Sequence, residues 1–264
     1  MSRSAIRILI LLFISIISIV AILLFTVDER TGEALANVKP VYLFALFGAW
    51  ASILLFDASA IVLFTRGTDE RIGFLSALRT TTIRIFFNII TPFAFGGQPF
   101  SIISLSSEGI PSGKGSSIVV VKLMTLSIFT QAGALVAFLF FNDKISNIKA
   151  LNKIFMVSGL AGAAFILLIT LSFLFPHFLV KMITSMGKFL HRLKILKDIR
   201  TLRRKAIHQA FNARRSFKKY FSHNLGYFIG GTICNGLMYM SQLVLLWVIL
   251  LGLGQSVPFL TGIV

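Results

Sequence analysis

The chain has 264 residues, 56% of them hydrophobic and 13% charged, with a mean hydropathy of +0.88. A soluble domain carries about 25% charged residues, so this composition excludes a soluble fold and points to an integral membrane protein. The net charge is +17, from 26 Lys plus Arg against 9 Asp plus Glu, and the one cysteine, Cys234, excludes an intrachain disulfide framework or a cysteine-cluster metal site.

Five apolar runs reach the roughly 20 residues that cross a bilayer: 8–27, 41–64, 118–141, 154–175 and 227–253. The first follows Arg3 and Arg7 and reads as an uncleaved anchor. Its apolar stretch exceeds the roughly 7–15 residues of a signal-peptide core, and the cleavage-like Ala34-Leu35-Ala36 lies well beyond it. The second run is interrupted by Asp57, the only acid inside a span. Asp57 is expected either to pair with Arg84 or Arg79, which favours a structural role, or to serve as a coupling proton site.

Residues 73–107 are the most informative stretch. An entering helix over 73–91 contains Arg79 and Arg84, each of which would cost about 2.5–3.5 kcal/mol at mid-bilayer on insertion scales. Pro92, Gly96, Gly97 and Pro99 then break the helix, and Phe100–Ser107 forms a second short piece. Charge counting favours a re-entrant pair that enters and returns on one side. That arrangement puts Arg3, Arg7, Arg66, Arg71, Lys114 and the basic segment 177–224 inside, leaving only the loop around Asp143, Lys144, Lys149 and Lys153 as a cost. The N-terminus is accordingly expected in the cytoplasm and the protein in the plasma membrane, as a multi-pass chain.

A Pro- and Gly-broken pair at membrane depth implies a cavity, and transporters build substrate sites from such broken helices. Thr80, Thr81, Arg84, Asn88 and Thr91 recur at helical spacing and form one polar stripe. Guanidinium binds phosphate and carboxylate with parallel hydrogen bonds, and the returning helix contributes free N–H groups near Pro99. Arg79, Arg84, Asn88, Thr91 and Gln98 are therefore the candidate substrate contacts. Asp57, Pro92, Gly96, Gly97 and Pro99 are candidate structural or coupling residues. The competing view is that Arg84 pairs with Asp57 and only holds helices together.

Farther along, Lys122 is expected to snorkel to the interface, Gln131 to make a helix–helix hydrogen bond, and Glu108 to cap or solvate its turn. The stretch 109–116, GIPSGKGS, fails the phosphate-loop spacing. Gly226-x-x-x-Gly230 permits close helix packing. Segment 177–224 holds 13 basic residues and one acid, with apolar residues at steps of three and four. It reads as one or two amphipathic helices on the cytoplasmic surface. Arg203, Arg204 and Lys205 are its candidate contacts with anionic phospholipids, worth about 1 kcal/mol per cation near the surface; nucleic acid is not expected as a partner. The four histidines are too scattered for a metal site, no cofactor is expected, and no catalytic constellation is present.

The stretch from Asn88 to Met124, NIITPFAFGGQPFSIISLSSEGIPSGKGSSIVVVKLM, resembles the lysylphosphatidylglycerol synthase transmembrane family, which includes the flippase half of the multiple peptide resistance factor. Asn88, Pro92, Gly97, Gln98 and Gly109 match its pattern. The resemblance implies an all-α, polytopic fold with re-entrant helices, and movement of aminoacylated phospholipids such as lysyl-phosphatidylglycerol between leaflets. Family members are longer and carry a second Pro-Gly-Gly motif, so the chain is expected to be the N-terminal part of that fold. Two other readings stand beside the flippase: a phosphatidylglycerol lysyltransferase working with a separate soluble domain, and a membrane interaction module. A homo-oligomer is left open.

Overall fold

The computed structural model describes residues 38–91, 96–146, 157, 159–164, 167, 214–220 and 222–255, with the side chains of 139–146 left aside. Among the described residues the chain is helical throughout. Five helices carry the architecture: α1 (Pro40–Arg66), α2 (Phe74–Ile90), α3 (Gly97–Ser107), α4 (Ser112–Ser146) and α5 (Leu225–Gly252). Of these, α1, the Ser112–Phe138 part of α4, and α5 are long and apolar enough to cross a membrane. The runs at 41–64, 118–141 and 227–253 thus correspond to helices. The run at 8–27 lies outside the described residues. Of the run at 154–175, residues 157, 159–164 and 167 are described, and they are helical.

The helix ends follow local rules. Pro40 opens α1, where its fixed φ is already helical and its missing N–H has no intrahelical partner. Arg66 closes the same helix at the negative end of its dipole. Thr91 ends α2 in extended backbone, φ −107° and ψ 139°, as expected of a residue that precedes proline. Helix α3 begins at Gly97, three residues earlier than the sequence reading placed it. Pro99 therefore sits inside the first turn, where no intrahelical N–H bond is lost, and starts the helix rather than breaking it. Helix α4 begins six residues before the expected 118, because its glycines are accommodated within helical backbone and Lys114 gains an ion pair with Glu70 at 2.6 Å.

Helices α2 and α3 form an antiparallel hairpin. Near its open end Ser76 Oγ donates to Glu108 Oε2 at 2.8 Å; in the middle Thr80 and Ser104 share a hydrogen bond of 2.8 Å; near the closed end the Phe87 and Phe100 rings stack face to face. The open end lies beside the C-terminus of α1 and the N-termini of α4 and α5. This is shown by Lys114 on Glu70, and by Asn224 Nδ2 donating to Gly67 O at 3.1 Å and Asp69 Oδ1 at 2.9 Å. The core between these elements holds Ala58, Ile61, Phe64, Ala77, Leu105 and Ile118. Small residues set the α1–α5 seam: the Phe64 ring lies against Gly231, and Leu63 against Gly230. No described residue lies within 4 Å of a side chain placed at Gly226, so among the described residues Gly230 and Gly231 make this contact rather than the Gly226–Gly230 pair. The outer faces carry Phe44, Phe47, Leu75 and Ile89, all widely exposed, as lipid-facing positions require.

Segment 214–220 is tied to the same end. Tyr220, fully buried, donates to Phe64 O at 2.6 Å, and Lys219 pairs with Asp69. Asp69 holds a left-handed φ of 61°. The hydrogen bond from Lys219, then that from Asn224, keeps the Asp69 carboxyl below its ordinary range. Because the folded value is the lower one, this contribution is complete above the ordinary carboxylate value of about 3.9 and fades as pH falls through the depressed value. Amide-exchange protection of 214–220, corrected for intrinsic rates, is expected to be flat above about pH 4 and to fall below it. Asp69→Asn should lower protection at neutral pH and abolish that step; an unchanged pH profile in the variant would exclude the clasp.

Candidate functional site

Four helices each place a polar residue at the same level. Asp57 lies nine residues before the end of α1, while Arg84, Lys122 and Asn235 lie ten residues after the starts of α2, α4 and α5. At 1.5 Å per residue each sits about 14–15 Å from the shared end, near half of a hydrocarbon core about 30 Å thick. An isolated charge there is costly, so such groups gather around one another.

Asp57 is the centre. Its side chain is fully buried; Oδ1 accepts from Arg84 Nη2 at 2.9 Å and from Lys122 Nζ at 2.5 Å, and Oδ2 accepts from Thr81 Oγ1 at 2.6 Å. Behind Lys122, Asn235 Nδ2 donates to the Lys122 carbonyl at 2.9 Å and to Thr125 Oγ1 at 2.7 Å. One carboxylate thus ties together three helices directly and a fourth through Asn235. Counted as ionised groups, Asp57 faces two cations, and the cluster carries a surplus of one positive charge.

The hydrogen-bond capacity is also incomplete. Arg84 Nε, Asn88 Oδ1 and Asn235 Oδ1 are buried without a partner among the described residues. Unpaired buried donors and acceptors cost about 1–3 kcal/mol each. Arg84, Lys122, Gln98, Ser101 and Thr80 border a void of about 10 Å³, the size of a single water. The N-terminus of α3 approaches from the other side: the space a side chain on Gly97 would need is taken by Asn88 Oδ1 and, at 2.6 Å, by the Arg84 carbonyl oxygen. The first turn of α3 also reaches the void through Gln98, which lines it together with Arg84 and Lys122.

The expected site residues separate in the structure. Arg84 is in the cluster, Gln98 borders its void, and Asn88 lies one turn along α2 against Gly97. The Thr91 hydroxyl is occupied by the turn, donating to Phe87 O at 2.5 Å and accepting from Gly96 N at 2.9 Å. Arg79 points outward, its side chain 72% exposed and 3.9 Å from Glu108, so it is not part of the cluster. Glu108 accepts from Ser76 rather than only capping its turn. Pro92, Arg203, Arg204 and Lys205 lie outside the described residues, as does most of the basic segment 177–224.

Lys122 departs from its expected place at the interface. It is buried against Asp57, whose carboxylate supplies the counter-charge that a buried ammonium needs. Asn235 was not singled out from sequence. Counting from the apolar boundary at 227 would have pointed to Asn235, whereas Lys122 is as deep as Arg84 only when counted from the helix start at Ser112, which the apolar run does not reveal. Gln131 packs in the space beside Gly162, between α4 and the helical residues 159–164. Among the described residues no group of His, Cys, Asp and Glu could hold a metal ion.

A family model described as the lysylphosphatidylglycerol synthase TM region matches residues 5–264 of the chain. No curated protein and no solved structure matches it.

Proposed function

Because the chain belongs to the lysylphosphatidylglycerol synthase TM-region family, as a membrane domain of that type, we propose that it moves phosphate-bearing, aminoacylated lipids such as lysyl-phosphatidylglycerol between leaflets. The observation that carries this reading is the surplus positive charge of the Asp57–Arg84–Lys122 cluster, in which Arg84 borders the void and its Nε has no partner among the described residues. A phosphodiester supplies the missing negative charge and the missing acceptor together. Gln98 and the N-terminal turn of α3 lie where they could complete its coordination.

A void of about 10 Å³ admits water and no headgroup, so this conformation is closed. Loading requires the α2–α3 hairpin to shift away from α4. The hairpin suits that role, since both of its ends lie at one end of the molecule and its turn is held by Thr91 and two glycines. We place that end in the cytoplasm, supported by Arg66, Arg71, Lys114, Arg214, Arg215, Lys218 and Lys219 around it. The hairpin is then re-entrant from the cytoplasmic side, and anionic phospholipids contact the basic segment.

Translocation in reconstituted vesicles tests this. Lysyl-phosphatidylglycerol in the outer leaflet is read by an amine-reactive dye at matched protein incorporation. Wild type is expected to exchange lipid well above empty vesicles, and Arg84→Ala to fall at least roughly tenfold, the loss of one charge-assisted bond of about 1.5–3 kcal/mol. Exchange by Arg84→Ala at the wild-type rate would refute the assignment of the site.

A further inference from the structure

A second cationic site lies at the shared end. A cleft of about 710 Å³ opens where α1 ends and α2 and α5 begin, walled by Arg66, Asp69, Glu70, Arg71, Asn224 and Tyr227. This is the size range of small-molecule sites, about 300–1,000 Å³.

Its charge is not balanced. Both acids are already engaged: Asp69 accepts from Lys219 and from Asn224 Nδ2, and Glu70 accepts from Lys114 Nζ at 2.6 Å. The Arg66 and Arg71 side chains are exposed, and their guanidinium groups form no ion pair or hydrogen bond among the described residues. With each acid neutralised by its own lysine, the two guanidinium groups stand as free charge on the walls of one concavity. Arg66 is also held in place by the last turn of α1, and the wall that bears Asp69 is fixed by its left-handed backbone and by Asn224. Two forked donors on a braced frame suit an oxyanion with several acceptor oxygens. The exposed Tyr227 ring beside them has the amphipathic character of residues at the headgroup level.

We propose that this cleft binds a phosphate group, held between Arg66 and Arg71, as a station separate from the buried cluster. Its place at the start of α2, about 15 Å along that helix from Arg84, would let a lipid phosphate dock at the interface before the hairpin opens. That role rests on the translocation reading; the binding itself does not.

The test is calorimetric titration of the purified full chain in neutral detergent with two probes, dihexanoyl-phosphatidylglycerol and inorganic phosphate. The chain is expected to bind at least the lipid probe. Arg66→Gln/Arg71→Gln should weaken that binding at least tenfold, while Arg66→Lys/Arg71→Lys retains part of it. Equal binding of inorganic phosphate with the same arginine dependence would assign the site to free phosphate; binding of the lipid alone would assign it to a headgroup. Unchanged affinity in the double glutamine variant, given wild-type thermal unfolding, would overturn the proposal. So would a loss as large in Arg84→Ala, which would place the bound phosphate at the buried cluster. A translocation defect in Arg84→Ala with no arginine dependence of binding at the cleft would leave the transport reading standing and remove this one.

Discussion

Asp57→Asn is expected to destabilise the helix assembly by about 3–5 kcal/mol, the cost of removing one partner from a buried ion pair. The amide leaves Arg84 and Lys122, both largely buried, facing each other with no carboxylate between them. Lys122→Met should cost far less, because the Asp57–Arg84 pair that remains is neutral and the methionine fills the stem's space. The double variant Asp57→Asn/Lys122→Met should then recover more than half of the loss, a coupling near the upper part of the 0.5–3 kcal/mol seen between contacting residues. Thermal unfolding midpoints in one detergent would read all three. A loss below about 1 kcal/mol for Asp57→Asn would mean the three groups interact as if exposed to water, which contradicts their burial.

Gly97→Val is expected to open the hairpin. A Cβ at this position collides with Asn88 Oδ1 and lies 2.6 Å from the Arg84 carbonyl oxygen. The asparagine can rotate away, but the carbonyl belongs to the α2 backbone and cannot. Overpacking in a core costs typically 1–3 kcal/mol, and here the strain falls on the segment that bears Arg84. Lipid exchange should drop at least tenfold, and adding Asn88→Ala should fail to restore it. Gly48→Ala, in α1 with no described residue within 4 Å of the new methyl, should behave as wild type. Rescue by Asn88→Ala would show that the side chain alone limits the approach of α3.

Much of the fold was legible because lipid imposes a simple rule on sequence. Apolar runs at 41–64, 118–141 and 227–253 could only be buried or lipid-facing helices, and α1, α4 and α5 are those helices. The hairpin was legible from Pro92, Gly96 and Gly97, which stop one helix and allow a sharp return. Two kinds of detail were not. Pro99, Gly113 and Gly115 signal breaks locally, yet at the first turn of a helix the same residues are tolerated, and only the tertiary arrangement decides. Lys122 was ambiguous because its surroundings are set by Asp57, 65 residues away, and sequence alone does not say which helix faces which. The stripe on α2 was correct as a periodicity, while its members divide: Thr81 and Arg84 meet Asp57, Thr80 meets Ser104, and Thr91 holds the turn.

On this reading the buried cluster recognises a phosphate through its one surplus positive charge. The most direct measurement compares, in the same vesicles, exchange of phosphatidylglycerol with that of a diacylglycerol glycoside, a lipid of similar size without phosphate, for wild type and for Lys122→Met. Wild type should move the phosphate-bearing lipid at least tenfold faster than the glycoside. Lys122→Met, whose cluster is neutral yet still paired, should lose that preference while remaining folded. Equal rates for both lipids in wild type, or a preference that survives in Lys122→Met, would contradict the claim.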